Sequence, residues 1–347
     1  MKIALITDQH LDGRKGSNQF WEYFNSFYQE VFFPYLIKNK IKHIIDLGDT
    51  FDNRKSIDFN VWQRIRHSYF DTLQKMNVEV HMILGNHDTY YKNTNDINSP
   101  DLLLSEYYNV HIYGQATTID LGGTKIALIP WINSGNLEQT KEFIEQTPAK
   151  IAMGHLELNG FEVTPGMTMD HGMDPKMFSK FERVFSGHFH HRSTKGNITY
   201  LGNPYQMFWN DCDDTRGFHT FEPDIQKLTF HKNPFKIFKK IYYNDSKGEF
   251  EYTAADYSKC FVKIIVEQKQ DYYAFEKLVD DLYKAGAHDV KILETLVEND
   301  LVDDPDLEVK DTVTLLNEYI DEVEMSVDKS NLKNLMRNLY IESLELV

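Results

Sequence analysis

Five short clusters carry most of the chain's potential chemistry: Asp8-Gln9-His10, Gly48-Asp49, Gly85-Asn86-His87-Asp88, Gly154-His155 and Gly187-His188-Phe189-His190. Their polar side chains are carboxylates, imidazoles and amides. Such donors suit divalent first-row metals, and no thiolate is among them. If the segments are extended, residues i and i+2 share a face. Asp8 and His10 can then point to one centre, and so can His188 and His190, while His191 points away. The glycines allow the backbone to turn sharply at a strand end. Any one cluster is a weak signal. All five in this order make chance convergence improbable.

The elements that must hold these clusters can be read from the apolar pattern. Strands are predicted over 2–7, 41–47 and 78–84, each running into a cluster, with helices over 17–40 and 59–76 between them. Pro34 predicts a kink or break in the first helix. Open α/β sheets place ligands at the carboxyl ends of their strands. Farther on the pattern becomes strand-rich: 110–113, 117–121, 125–131, 150–153, 183–185, 198–201, 217–221 and 227–230. Two packed mixed sheets with helices outside follow. A polar run at 243–249 predicts a domain boundary. Beyond it, 260–267, 272–285 and 289–293 read as a small β-α-β unit. An acidic connection, 298–311, then leads to two helical patterns, 312–324 and 329–344.

The chain has 347 residues, 41% of them apolar, and a formal charge of −16. That composition excludes a disordered chain and a strongly basic nucleic-acid coat, although not a local basic groove. The two cysteines exclude a disulfide framework and fit a reducing compartment. No apolar run approaches a membrane span, and no signal peptide is apparent, so a cytoplasmic location is expected. From residue 296 onward there are 14 acids and 4 bases, so the acidity is concentrated at the C-terminal end.

The five clusters resemble those of the calcineurin-like metallophosphoesterases. The stretch 154–160 (GHLELNG), His171-Gly172 and 184–190 (VFSGHFH) is similar to the SbcD nucleases, the family of the meiotic recombination eleven nuclease. The resemblance implies an α/β fold: a two-sheet metallophosphoesterase sandwich flanked by helices, with a small β-α-β capping domain and C-terminal helices. The expected division is 1–243 for the nuclease domain, 244–297 for the cap and 298–347 for helices that dock on a partner. It also implies two divalent ions, manganese foremost, with magnesium or iron open. Asp8, His10, Asp49 and His190 would hold one, and Asp49, Asn86, His155 and His188 the other. The two ions would activate a water to attack a DNA phosphodiester. The implied activities are a 3′-to-5′ exonuclease on duplex ends and an endonuclease on single strands. The implied partners are DNA, an SbcC-type coiled-coil ATPase, and a second copy of the chain through the helix over 59–76.

His87 lies outside that ligand set and is the candidate for transition-state stabilisation or protonation of the leaving alkoxide. Asp52 stands where other branches carry histidine. It is a second catalytic candidate, orienting His87 or touching the substrate path, with a turn or cap role equally open. Arg14, Lys15, Arg54 and Lys55 follow the first two clusters and are candidate DNA contacts. The run 227–240 interleaves lysines with Phe235 and Phe238 and reads as a DNA-facing strand or an ordinary amphipathic one. His43, His81 and His111 are read as structural, and His171 less firmly so. Two alternatives to the nuclease are a phosphoesterase acting on a cyclic nucleotide or phosphoprotein, and a non-catalytic scaffold.

Overall fold

A computed structural model describes residues 1–294 and, beyond them, residues 319, 320, 329, 332, 333 and 336. The two expected C-terminal helices therefore lie outside the described residues, apart from those isolated positions.

Strand residues alternate between two buried faces, which is what stacks two sheets between helical layers. The first sheet runs in the order Lys227–Lys232, Gly217–Glu222, Ile3–Ile6, His43–Asp46, Glu79–Ile83, Val110–Tyr113. The last four are parallel to one another, and Gly217–Glu222 lies antiparallel beside Ile3–Ile6. The second sheet runs Ser193–Lys195, Ile198–Tyr200, Arg183–Gly187, Ile151–His155, Thr124–Ile129, Thr117–Leu121, with antiparallel pairs at both edges. Ile3, Leu5, Ile45 and Ile83 of the first sheet meet Ile126, Leu128, Ile151 and Phe185 of the second in a dry layer. On the outer face of the first sheet, Ala4, Ile6, Ile44 and Val80 pack against aromatic-rich helices.

The first of these helices runs as Asn18–Phe27, a π turn at Tyr28–Phe32, and Phe33–Asn39. The predicted break at Pro34 is thus a widened turn just before the proline, which relieves the clash of its ring with the preceding turn. The second helix, Phe59–Ile65 continuing to Lys75, has the same device at Arg66–Phe70. Asp58 caps its start, accepting from the amides of Asn60 and Val61 at 2.9 and 3.0 Å.

A third sheet, all parallel, runs Phe238–Asn244, Phe261–Gln268, Asp289–Glu294, with the helix Tyr272–Lys284 on one face. The predicted boundary at 243 falls inside this unit, because Phe238–Asn244 is its first strand. The polar run after Tyr243 is a turn within the appendage, so composition misplaced the seam. The run 227–240 is likewise two elements. Lys227–Lys232 is an edge strand of the first sheet, and Phe238 packs inward against Phe20 and Phe261, at ring distances of 5.8 and 5.9 Å. Among the described residues, no helix is long and apolar enough to cross a membrane.

Candidate metal centre

The five clusters meet where strands of the two sheets end: His10, Asp49, Asn86, His87, His188 and His190 line one cleft, and Asp8 and His155 are buried beside them. The loops are not extended there. Asp8, His10, Asp49 and His188 have φ of 50°, 42°, 52° and 90°, a left-handed conformation that side-chain-bearing residues rarely adopt. The expected convergence occurs, but by this backbone rather than by strand alternation. Such residues persist only where their surroundings over-determine them. The surroundings here are close. A Cβ on Gly187 would lie 1.9 Å from Thr7 Oγ1, and one on Gly85 2.1 Å from Asp49 Oδ1. Asp88, fully buried, accepts from the amides of Asp49 and Gly85, both at 2.8 Å, and of Phe51 at 3.1 Å. Burial, with Asp49 nearby, pushes its carboxyl up to about 7. Asp46 braces the preceding loop in a similar way, accepting from Gln9 Nε2 at 2.6 Å, Thr50 Oγ1 at 2.8 Å and the Gly48 amide at 3.2 Å.

The donors gather in groups. Asp8, His10 and His190 form one triad of ligand atoms, and Asp49, His155 and His188 another. His10 Nε2 lies 3.2 Å from His190 Nε2. Asn86 Oδ1 lies 3.0 Å from His155 Nε2 and 2.9 Å from His188 Nδ1, so it joins the second triad. Asp49 Oδ2 is 3.3 Å from His155 Nε2 and 3.9 Å from His10 Nε2, facing both. His188 and His190 thus serve different groups. His191 does point away, to Asp214 at 2.7 Å.

Outer partners fix the rings. His155 Nδ1 donates to the Leu47 carbonyl at 2.8 Å, which leaves Nε2 as the ligand atom. His10 Nδ1 lies 3.1 Å from Asp52 Oδ1, and His188 Nε2 lies 3.7 Å from Glu157 Oε2. Asp52 is itself held, its amide donating to Asp12 Oδ1 at 2.6 Å. Its side chain therefore serves His10 first and lies 4.0 Å from His87 Nδ1, while its carbonyl accepts from that nitrogen at 2.7 Å. The His87 amide donates to Asp49 Oδ1 at 2.8 Å.

The electrostatics fit a cation. Burial lowers His188 to about 3 and holds His190 well below the imidazole range, so both are neutral, the form that ligates a metal. For His10 and His155 burial acts in the same direction but is overridden. Asp52, Asp49 and Asp8 raise His10 to about 10, and Asp49 and Asp8 raise His155 to about 9. Burial would raise Asp49, yet the surrounding histidines hold it well below the carboxylate range. The buried carboxylates thus draw positive charge into the pocket, and its donors are all nitrogen and oxygen. The residues present fit a pair of hard or borderline divalent ions.

Asp52, His87, His188 and His190 line the cleft, with Val163, Pro165 and Met167 of the Glu162–Thr168 hairpin and with Met207 and Phe208. The candidate DNA contacts divide. Arg14 reaches the cleft rim, its guanidinium 5.3 Å from the Phe208 ring centroid, and Lys15 beside it is exposed. Arg54 and Lys55 line a separate recess with Asp12, Phe51 and Tyr90. Sequence reasoning missed Asp12, Glu157 and the apolar cleft walls. Only Glu157, two residues after His155, had a positional signal.

Such a donor set between two mixed sheets defines a class, and residues 1–192 match the calcineurin-like phosphoesterase model. The chain belongs to that family. Over 99% of its length it is 32% identical to the whole of exonuclease subunit 1 of Enterobacteria phage T4. A shorter stretch, 39% of this chain and 36% of the relative, is 27% identical to the SbcD subunit of nuclease SbcCD from Staphylococcus saprophyticus. The SbcD-type resemblance read from the motifs is borne out. One solved structure, described as a novel archaeal phosphodiesterase, aligns with 67% of this chain and all of its own at a TM-score of 0.35 and 10% identity. The fold assignment rests on the sheets, not on that likeness.

Proposed function

We propose that this protein is the nuclease subunit of an SbcCD-type complex: a metal-dependent enzyme that trims duplex DNA from 3′ ends and cuts single strands. The observation that carries the reading is one carboxylate, Asp49, facing two donor groups in an open cleft, on a chain similar throughout to a phage exonuclease subunit. Asp8, His10, Asp49 and His190 would hold one ion, and Asp49, Asn86, His155 and His188 the other. Two divalent ions, manganese foremost, supply Lewis acidity and a water of lowered pKa. The chain's residues do the rest. His87 keeps Nδ1 protonated toward the Asp52 carbonyl, so Nε2 carries the mobile proton and passes it to the leaving alkoxide. Asp52 positions His10 rather than reacting. Arg14 at the rim meets a flanking phosphate. The partners are a coiled-coil ATPase of the SbcC type and a second copy of the chain. The dimer contact would use the helix beginning at Phe59, a phenylalanine 87% exposed.

Duplex DNA labelled at either end, incubated with manganese, magnesium or chelator, tests this. Release from the 3′ end with manganese, abolished in His87→Ala, is the expected result. Hydrolysis of a small phosphodiester without DNA cleavage, persisting when the ATPase partner is added, would refute the substrate assignment.

A further inference from the structure

The third sheet has one face covered by the helix Tyr272–Lys284; on the other, Phe238 and Phe261 at one end pack against Phe20 of the helix Asn18–Phe27, and among the described residues the face is bare only beyond them. On the bare face the register aligns Lys240 with Lys263 and Lys263 with Lys291, giving a row of three lysines straight across three parallel strands. Like charges directly opposite on neighbouring strands repel, and a fold gains nothing by aligning them. Lys240 is paired with Asp213 at 2.5 Å. Lys263 and Lys291 have no ion pair among the described residues, in a protein with a net charge of −16. Lys263 is held below the usual lysine range by partial burial and by Lys291 and Lys240.

Aromatic rings flank the row. Lys263 Nζ lies 4.1 Å from the centroid of Trp209, whose ring is fixed by Phe238 at 4.7 Å. On the other side the next row carries Tyr242, 55% exposed. Trp209 stands between Phe208 and Asn210, which line the metal cleft, and Arg14 lies over Phe208. Cations and rings therefore follow one another from the cleft to the open face of the sheet. Alternating phosphate-binding cations and stacking rings is the arrangement that tracks a single strand without reading its sequence.

We propose that the open face of the third sheet is a single-stranded DNA track leading out of the metal cleft, with Lys240, Lys263 and Lys291 on successive phosphates and Trp209 and Tyr242 under bases. The proposal rests on the nuclease reading and specifies the path of its substrate. An acidic protein segment is the competing occupant; the continuity with the cleft favours DNA.

The test is fluorescence anisotropy of a labelled single-stranded oligonucleotide with the full chain, in chelator so that the strand stays intact, across a range of salt. Replacing both lysines, Lys263→Glu with Lys291→Glu, should weaken binding at least about tenfold. It should also flatten the salt dependence, each lost phosphate contact removing roughly 0.7 from the slope. Lys291→Glu alone, on an exposed edge strand, guards against misfolding and should give the smaller half of the effect. The matched pair Lys277→Glu with Lys284→Glu, on the helix covering the other face, changes the net charge equally and should leave binding intact. Trp209→Ala should weaken it about tenfold, and Trp209→Phe should restore most of that. Equal losses from both lysine pairs would overturn the track, since charge alone would then explain them. Unchanged affinity and slope in the Lys263/Lys291 variant, while the wild type still cuts DNA with manganese, would overturn the track, spare the nuclease reading and leave the row to an acidic protein segment. A wild type that neither binds nor cuts DNA, even with the ATPase partner added, would remove the nuclease reading itself.

Discussion

Two groups of histidines stand in contrast, and only one turns its nitrogens toward shared oxygens. His155 ends its strand and His10, His188 and His190 stand beyond theirs; His10, His155 and His188 turn nitrogens toward oxygens of Asp49 and Asn86, and His190 meets His10. His43, His81 and His111 lie within strands of the first sheet, stacked ring on ring at 5.6 and 5.2 Å. Their polar edges are spent on one another: His43 Nδ1 to His81 Nε2 at 3.4 Å, His81 Nδ1 to Tyr113 Oη at 3.0 Å, and His111 Nε2 to Glu79 at 2.7 Å. The backbone explains much of the difference. Regular strands set side chains parallel, so rings stack, whereas the left-handed turns at His10 and His188 aim theirs toward the strand ends of both sheets. A central carboxylate then supplies the charge that a dication requires and that a stack of imidazoles lacks.

The contrast can be broken at the carboxylate. Asp49→Ala should remove both donor groups at once and reduce DNA cleavage by more than the roughly 10²–10⁴-fold that a general acid contributes. Metal content measured on the same variant should fall with it; full metal occupancy would mean that the shared carboxylate is not what separates the two groups. Next in size is His87→Ala, which should lose roughly 10²–10⁴-fold in kcat while keeping its metal, because His87 lies outside both donor groups. Asp52→Asn should be milder, about 10–100-fold in metal affinity, as for other residues that hold a ligand from behind. An effect as large as that of Asp49 would place Asp52 in contact with the ion.

The smallest effect belongs to the stacked group. Burial, with His111 and His43 adding to it, lowers His81 to about 4. The unfolded chain takes up this proton near 6.5 and the folded chain resists it. The stability tied to a neutral His81 is therefore complete above pH 6.5 and lost as pH falls toward 4, by about 3 kcal/mol. Urea unfolding at pH 7 and pH 5 should show the decline, and His81→Phe should flatten it. A change in metal content in that variant would abolish the distinction between the groups.

Much of this was legible in the sequence because it is local. Each donor cluster follows an apolar run, and four of the five open on a glycine, so element order and donor set could be read together. What stayed hidden is what depends on distant approach. Nothing marks Asp12 as the acceptor that holds the Asp52 amide, or the Leu47 carbonyl as the partner of His155. Asp and His tolerate a left-handed φ better than most residues, but at Asp8 and His10 it is fixed by backbone hydrogen bonds to the distant loop at Gly48–Thr50. The seam of the third sheet was missed for a related reason. Phe238–Asn244 continues the aromatic and basic composition of the strand before it, and only its pairing with Phe261–Gln268 assigns it.

The strand Ile3–Ile6 is made first and completed late. Its antiparallel neighbour, Gly217–Glu222, is synthesised more than two hundred residues later, and His188 and His190 reach Asp8 and His10 across 180 residues. Contacts so distant in sequence form slowly and close large loops. During translation the amino-terminal strand therefore waits with one edge unpaired, an interval in which misassembly is favoured. The order of synthesis also means that a half-made chain lacks His188 and His190, so the last donors of the centre arrive only when most of both sheets has already been made.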